Sequence, residues 1–212
     1  MENVKNNMEK YFSYKTQIEK YNKAMQEGFY YEAIFISYAI MEDRLLSFLD
    51  KIGVITLEKA LQIKKLEMTE KIKPFIYYLT KSDNINLQNI TEKIKIIKCI
   101  LKMSYEDATA FETKYRTEMN TDCMNGYLQD LYMDIDENID RDAIKKHFNK
   151  MKKWFEKRNN LIHGLVNKTA DDDFENEIRI VAEDSETLWR YLDNNFTAKL
   201  KNCKLRKKYN IE

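Results

Sequence analysis

Residues 29–52, FYYEAIFISYAIMEDRLLSFLDKI, form a dense apolar run. Within it Phe35, Ala39, Leu46 and Leu49 fall at i, i+4, i+11 and i+14, the rhythm of a helix face turned toward a core. The stretch reads as the central helix of an all-helical protein, closed by Gly53. Upstream, Met8, Phe12, Ile18, Tyr21 and Met25 recur at helical spacing until Gly28 breaks the run. Downstream, Thr56 caps a shorter helix reaching Leu66, and Pro74, suited to a first helical turn, places another over residues 71–79. Ile90, Ile94, Ile97, Leu101 and Tyr105 line a helix running to about residue 103, and Ala108, Phe111 and Tyr115 continue the rhythm toward Asn120. The acidic stretch 120–142 reads as partial helix and loop.

Toward the C-terminus, Ile144, Phe148, Met151, Phe155 and Ile162 predict a helix over 141–164 with Gly164 as its stop. Asp171, Asp172 and Asp173 precede a further helix whose second core face carries Leu188, Tyr191 and Leu192. The lysines and arginine from Lys199 to Lys208 read as a frayed or solvated tail. No repeat or low-complexity linker interrupts the chain. The expectation is one domain over residues 1–212, an all-α compact helical bundle, with residues 65–120 as an additional helical segment in its middle.

Composition agrees. Four Gly and one Pro in 212 residues leave little material for the tight turns of sheets and barrels or for phosphate-cradling loops. Thirty-six basic against thirty-five acidic side chains give a formal charge of +1, so any nucleic-acid binding must come from local charge placement. Cys99, Cys123 and Cys203 are odd in number and far apart, which predicts reduced thiols, a cytoplasmic location and no structural metal or cofactor. No signal-like start and no apolar run of roughly 20 residues is present, so no membrane association is expected.

Only two histidines are present, His147 and His163. His163 ends the stretch Arg158-Asn159-Asn160-Leu161-Ile162-His163-Gly164. On a straight helix Arg158 and His163 lie about 140° apart, so fraying near Gly164 is what would bring them together. Arg offers a permanent planar cation, His a proton donor and acceptor near neutrality, and Asn both a donor and an acceptor. These are parts for cleaving a phosphodiester without a metal. One imidazole does not easily serve both proton transfers, whereas two copies across a symmetric dimer supply two.

The stretch Trp154 to Gly164 resembles the signature of the HEPN superfamily, in which an Arg followed by a polar residue precedes a His by a short interval. The resemblance implies a compact helical bundle and a metal-independent endoribonuclease of toxin-antitoxin, abortive-infection or CRISPR-associated defence. It implies that Arg158 and His163 are catalytic, that Asn159 assists, and that the cleft forms where two motifs meet in a homodimer acting on RNA. An antitoxin or other regulatory protein is a further partner of such a system. Arg141 and His147 match the pattern more loosely, but Asp142, Lys145 and Lys146 give that segment the look of a solvated helix start.

Glu42 falls on the Phe35, Ala39, Leu46, Leu49 stripe, where an unpaired carboxylate is costly. The resemblance assigns it the role of orienting Arg158 or His163. The bland alternatives are a helix-capping His163, a surface ion pair at Arg158 and a salt-bridged structural Glu42. Two other functions stand beside the nuclease. One is a non-catalytic helical module that binds a partner protein, a nucleotide or RNA. The other is a helix-turn-helix regulator, disfavoured by the lack of a short Gly turn followed by a basic helix.

Overall fold

A computed structural model of the chain describes residues 2–55, 73–82, 85–119, 126–164, 172–200, 205 and 208. The short helix expected from Thr56 to Leu66 lies outside them, as do Cys123 and Cys203. The described residues form helices α1 (Glu2–Gln26), α2 (Tyr30–Lys51), α3 (Lys73–Thr80), α4 (Ile90–Lys102), α5 (Tyr105–Met119), α6 (Tyr127–Asn138), α7 (Arg141–Gly164) and α8 (Asp172–Leu192). A π-helical turn, Asp193–Thr197, follows α8. Among these residues there is no strand, and no helix is long and apolar enough to cross a membrane.

Local chemistry sets the boundaries. Gly28, at φ +77°, ends α1 in a left-handed turn in which the Phe29 N–H returns to the Ala24 carbonyl at 2.8 Å. Asn89 caps α4 by accepting the Thr91 N–H at 2.8 Å. At the start of α5, Ser104 Oγ accepts the Asp107 N–H at 3.0 Å while Asp107 returns the bond to the Ser104 N–H at 3.1 Å. That cap ends the rhythm of α4, and Tyr105, expected on its buried side, is 43% exposed.

The chain divides into two compact units, one of residues 1–43 and 147–191 and the other of residues 44–146 and 192–212. In the first, Tyr21 donates from its hydroxyl to the Ala182 carbonyl at 3.1 Å and meets Trp189 edge-on. Ser37 and Ser185, both fully buried, join α2 to α8 through their hydroxyls at 2.7 Å. Trp154 of α7 donates to the Val181 carbonyl at 2.8 Å, and His147 Nε2 lies 3.0 Å from the Leu188 carbonyl, so α7 and α8 run antiparallel.

In the second unit Phe48 stacks on Phe196 at 3.9 Å, and the Tyr127 hydroxyl donates to the Ile52 carbonyl. The acidic 120–142 stretch, expected to be partly loop, contains the regular helix α6. Its first turn is capped from a distance by buried Glu112, which accepts the Gly126 and Leu128 N–H groups at 3.2 and 2.6 Å. The expected solvated tail is anchored in part. Leu200 and Leu205 are fully buried, the Leu205 N–H reaches buried Asp134 at 2.7 Å, and Lys208 pairs with Asp130.

One expectation about α2 fails. Phe35 is 49% exposed, Ala39 is exposed and Leu46 is half-buried, and of the stripe only Leu49 is buried. Ile34, Ser37, Met41, Leu45 and Phe48 form a continuously buried parallel stripe displaced by about one residue, with Ala33 and Ile40 buried beside it. The helix is apolar on nearly every side, so two faces fit the same period.

Candidate functional site

Helix α7 carries the motif at the end of a sorted surface. His147, Met151, Trp154, Arg158 and Leu161 repeat at i, i+4, i+7, i+11 and i+14, and all but Arg158 are buried. Arg158 thus stands on the core stripe of its helix, half-buried, where an apolar side chain would be routine. One residue earlier in register, Lys146, Lys150, Lys153, Lys157 and Asn160 form a parallel stripe whose lysines are all exposed.

The guanidinium of Arg158 is placed by α2. Its Cζ lies 4.5 Å from the centroid of the Tyr38 ring and 5.4 Å from that of Phe35, within cation–π range of both. Tyr38 in turn meets Phe155 edge-on at 5.7 Å. Arg158 Nη1 donates to the Asn159 Oδ1 at 2.9 Å. Its Nε is buried and makes no hydrogen bond with the described residues, which leaves the terminal nitrogens as the donors that can meet an anion.

Glu42 is half-buried rather than a core residue. The Tyr38 phenol is held above its ordinary pKa first by burial and then by the negative charge of Glu42, with Arg158 opposing. Glu42 and Arg158 therefore both act on the Tyr38 phenol. His163 lies on the last turn of α7, exposed, with no hydrogen bond or ring contact to the described residues. The helix is regular through Gly164, so the fraying expected to unite Arg158 and His163 does not occur and the two remain about 140° apart around the axis.

The looser pair is structural. Arg141 is no solvated helix start: it donates to the Leu101 and Met103 carbonyls at 3.0 Å each and to Tyr132 O at 3.3 Å, its guanidinium over the Tyr132 ring. His147, 5% exposed, stacks on Tyr191 at 4.2 Å and is kept neutral by burial, its pKa lowered to about 4.

Sequence reasoning missed Phe35 and Tyr38 as the seat of Arg158. Their signal is faint: Phe35, Tyr38 and Glu42 recur at i, i+3 and i+7 on one side of α2. No group of three or more His, Cys, Asp or Glu side chains able to hold a metal gathers among the described residues. No family model matches the chain, and no curated protein or solved structure matches it either.

Proposed function

We propose that the chain is a metal-independent endoribonuclease of the HEPN type that cleaves RNA at a composite site in a homodimer. The observation that carries this reading is Arg158, a cation set on a core stripe, braced by Tyr38 and Asn159 with its terminal nitrogens left to meet an anion. A preformed guanidinium of this kind suits the charge that develops on a phosphodiester under attack. Within one chain Arg158 and His163 face apart, so a second copy is needed to bring an imidazole to a guanidinium.

In this mechanism one His163 takes the proton of the ribose 2′-OH as its oxygen bonds to the adjacent phosphorus. The P–O5′ bond breaks, and the other His163 gives its proton to the leaving oxygen. The products are a 2′,3′-cyclic phosphate and a 5′-hydroxyl. Arg158 clamps the phosphate, Asn159 positions Arg158, and Glu42 orients it through the shared Tyr38 environment. The biological setting proposed from the motif is toxin-antitoxin, abortive-infection or CRISPR-associated defence in the cytoplasm, with an antitoxin or comparable regulator as partner.

The test is RNA cleavage by the purified full chain in EDTA, with sedimentation to follow the dimer. His163→Ala and Arg158→Ala are each expected to abolish cleavage while the dimer persists. Cleavage retained in both variants, or a monomeric wild type, overturns the proposal. A wild type that binds RNA without cutting it is the silent binding module instead.

A further inference from the structure

Helices α7 and α8 are oppositely charged neighbours. Helix α7 carries eight Lys or Arg against two Asp or Glu, whereas α8 carries seven acidic against two basic side chains. Ion pairing is common on this surface, as in Lys152–Glu156, Arg179–Glu183 and Arg190–Glu186. Lys150 and Lys153 make no ion pair with the described residues, and Lys157 reaches Asp184 only at 4.0 Å. This row leads along α7 toward Arg158. From Lys150 to Lys157 the helix advances about 10 Å, the length of about three stacked nucleotides at ~3.4 Å each.

At the end of the row stands Phe35, its ring 49% exposed and 5.4 Å from the Arg158 guanidinium. An exposed ring beside a phosphate-suited cation has the chemistry of a nucleotide seat, base on the ring and phosphate on the arginine. The acidic surface of α8 argues against a duplex. Packed helices lie about 8–10 Å apart, and the second strand of an A-form duplex would bring its phosphates against those carboxylates.

Resting on the ribonuclease reading for the identity of its ligand, we infer that single-stranded RNA runs along Lys150, Lys153 and Lys157 and stacks a base on Phe35 beside Arg158. Phe35 is then the residue that positions the nucleotide next to the bond to be cut.

The experiment is fluorescence anisotropy with a 5′-fluorescein 12-nucleotide oligouridylate and a labelled 12-base-pair RNA duplex, between 50 and 200 mM salt. The full chain carries His163→Ala so that the probe stays intact. The single strand is expected to bind at least tenfold more tightly than the duplex. Phe35→Ala and Phe35→Leu should each weaken it about tenfold or more, and Phe35→Tyr should restore it. Lys150→Gln with Lys153→Gln should reduce the slope of log affinity against log salt by about 1.4. Fluorescence of Trp154 and Trp189 reports that each variant is folded. Duplex preference, Phe35 variants that bind like the parent, or loss of self-association in Phe35→Leu overturns the inference. If unmutated protein cuts RNA while Phe35→Leu binds and cuts equally, the inference fails and the ribonuclease stands. If the binding pattern holds but unmutated protein does not cut, the ribonuclease fails and the binding track stands.

Discussion

Acid should weaken the unit that contains His147 as the pH falls from about 6.5 toward 4, and the effect can be sized. The imidazole is 5% exposed, stacks on Tyr191 and, because a carbonyl can only accept, donates its Nε2 proton to Leu188 O. Burial lowers its pKa from 6.5 to about 4; the Leu188 bond opposes the change and the charge of Lys150 adds to it. The folded state therefore binds fewer protons than the unfolded state between those values, and stability falls as pH falls. The contribution is complete above about pH 6.5 and spent near pH 4, roughly 3 kcal/mol in all, most of which disappears between pH 7 and 4.5. The chain's two tryptophans, Trp154 and Trp189, are both buried in this unit, so urea denaturation followed by tryptophan fluorescence reads it directly. His147→Gln, whose amide can keep the Leu188 bond, should flatten the pH dependence by that amount. Equal losses in wild type and variant, or an NMR titration of His147 with a midpoint near 6.5, would refute the reasoning.

Glu112→Gln replaces the charged cap of α6 with an amide that presents an N–H where two backbone N–H groups need acceptors, and should cost roughly 2–4 kcal/mol in urea denaturation followed by circular dichroism. Leu205→Ala opens a void beneath a fully buried side chain and should cost roughly 3 kcal/mol by the same assay, whereas a solvated tail would give almost none. Arg158→Lys keeps the charge but loses the planar fork over Tyr38 and toward Asn159, so RNA cleavage should fall at least about tenfold with the thermal midpoint within a few degrees of wild type.

Helix α7 was legible to its ends because its lysines mark the outer side, although of the expected face Phe155 and Ile162 are only half-buried and Trp154 and Leu161 are buried in their place. Helix α2 was legible as an element but not in its orientation, since apolar residues surround it and the stripe one residue away takes the core while Phe35 and Ala39 are exposed. What the sequence hid was non-local. The cap of α6 comes from Glu112, and the anchor of Leu205 comes from Asp134, 71 positions away. Neither pairing leaves a mark in the local pattern of either segment. The same holds at the site: Arg158, Asn159 and His163 stand out as a short motif, and Glu42 as a carboxylate on an apolar stripe. The ring beneath the guanidinium belongs to a helix more than a hundred residues earlier.

The unit holding Arg158 and His163 is assembled from two distant stretches of chain, 1–43 and 147–191. Tyr21 finds the Ala182 carbonyl across 161 positions, and Ser37 finds Ser185 across 148. On a ribosome, α1 and the start of α2 must wait while residues 44–146 are made, about 5–20 s at ordinary translation speeds. During that interval Tyr21, Ile34 and Met41 have nothing to cover them, and chaperones that shield nascent apolar surface have their longest opportunity. Birth order thus keeps the motif-bearing unit open until α8 is made, so a truncated product ending before α8 would carry the full motif without the partners that Tyr21, Ser37 and Trp154 find there.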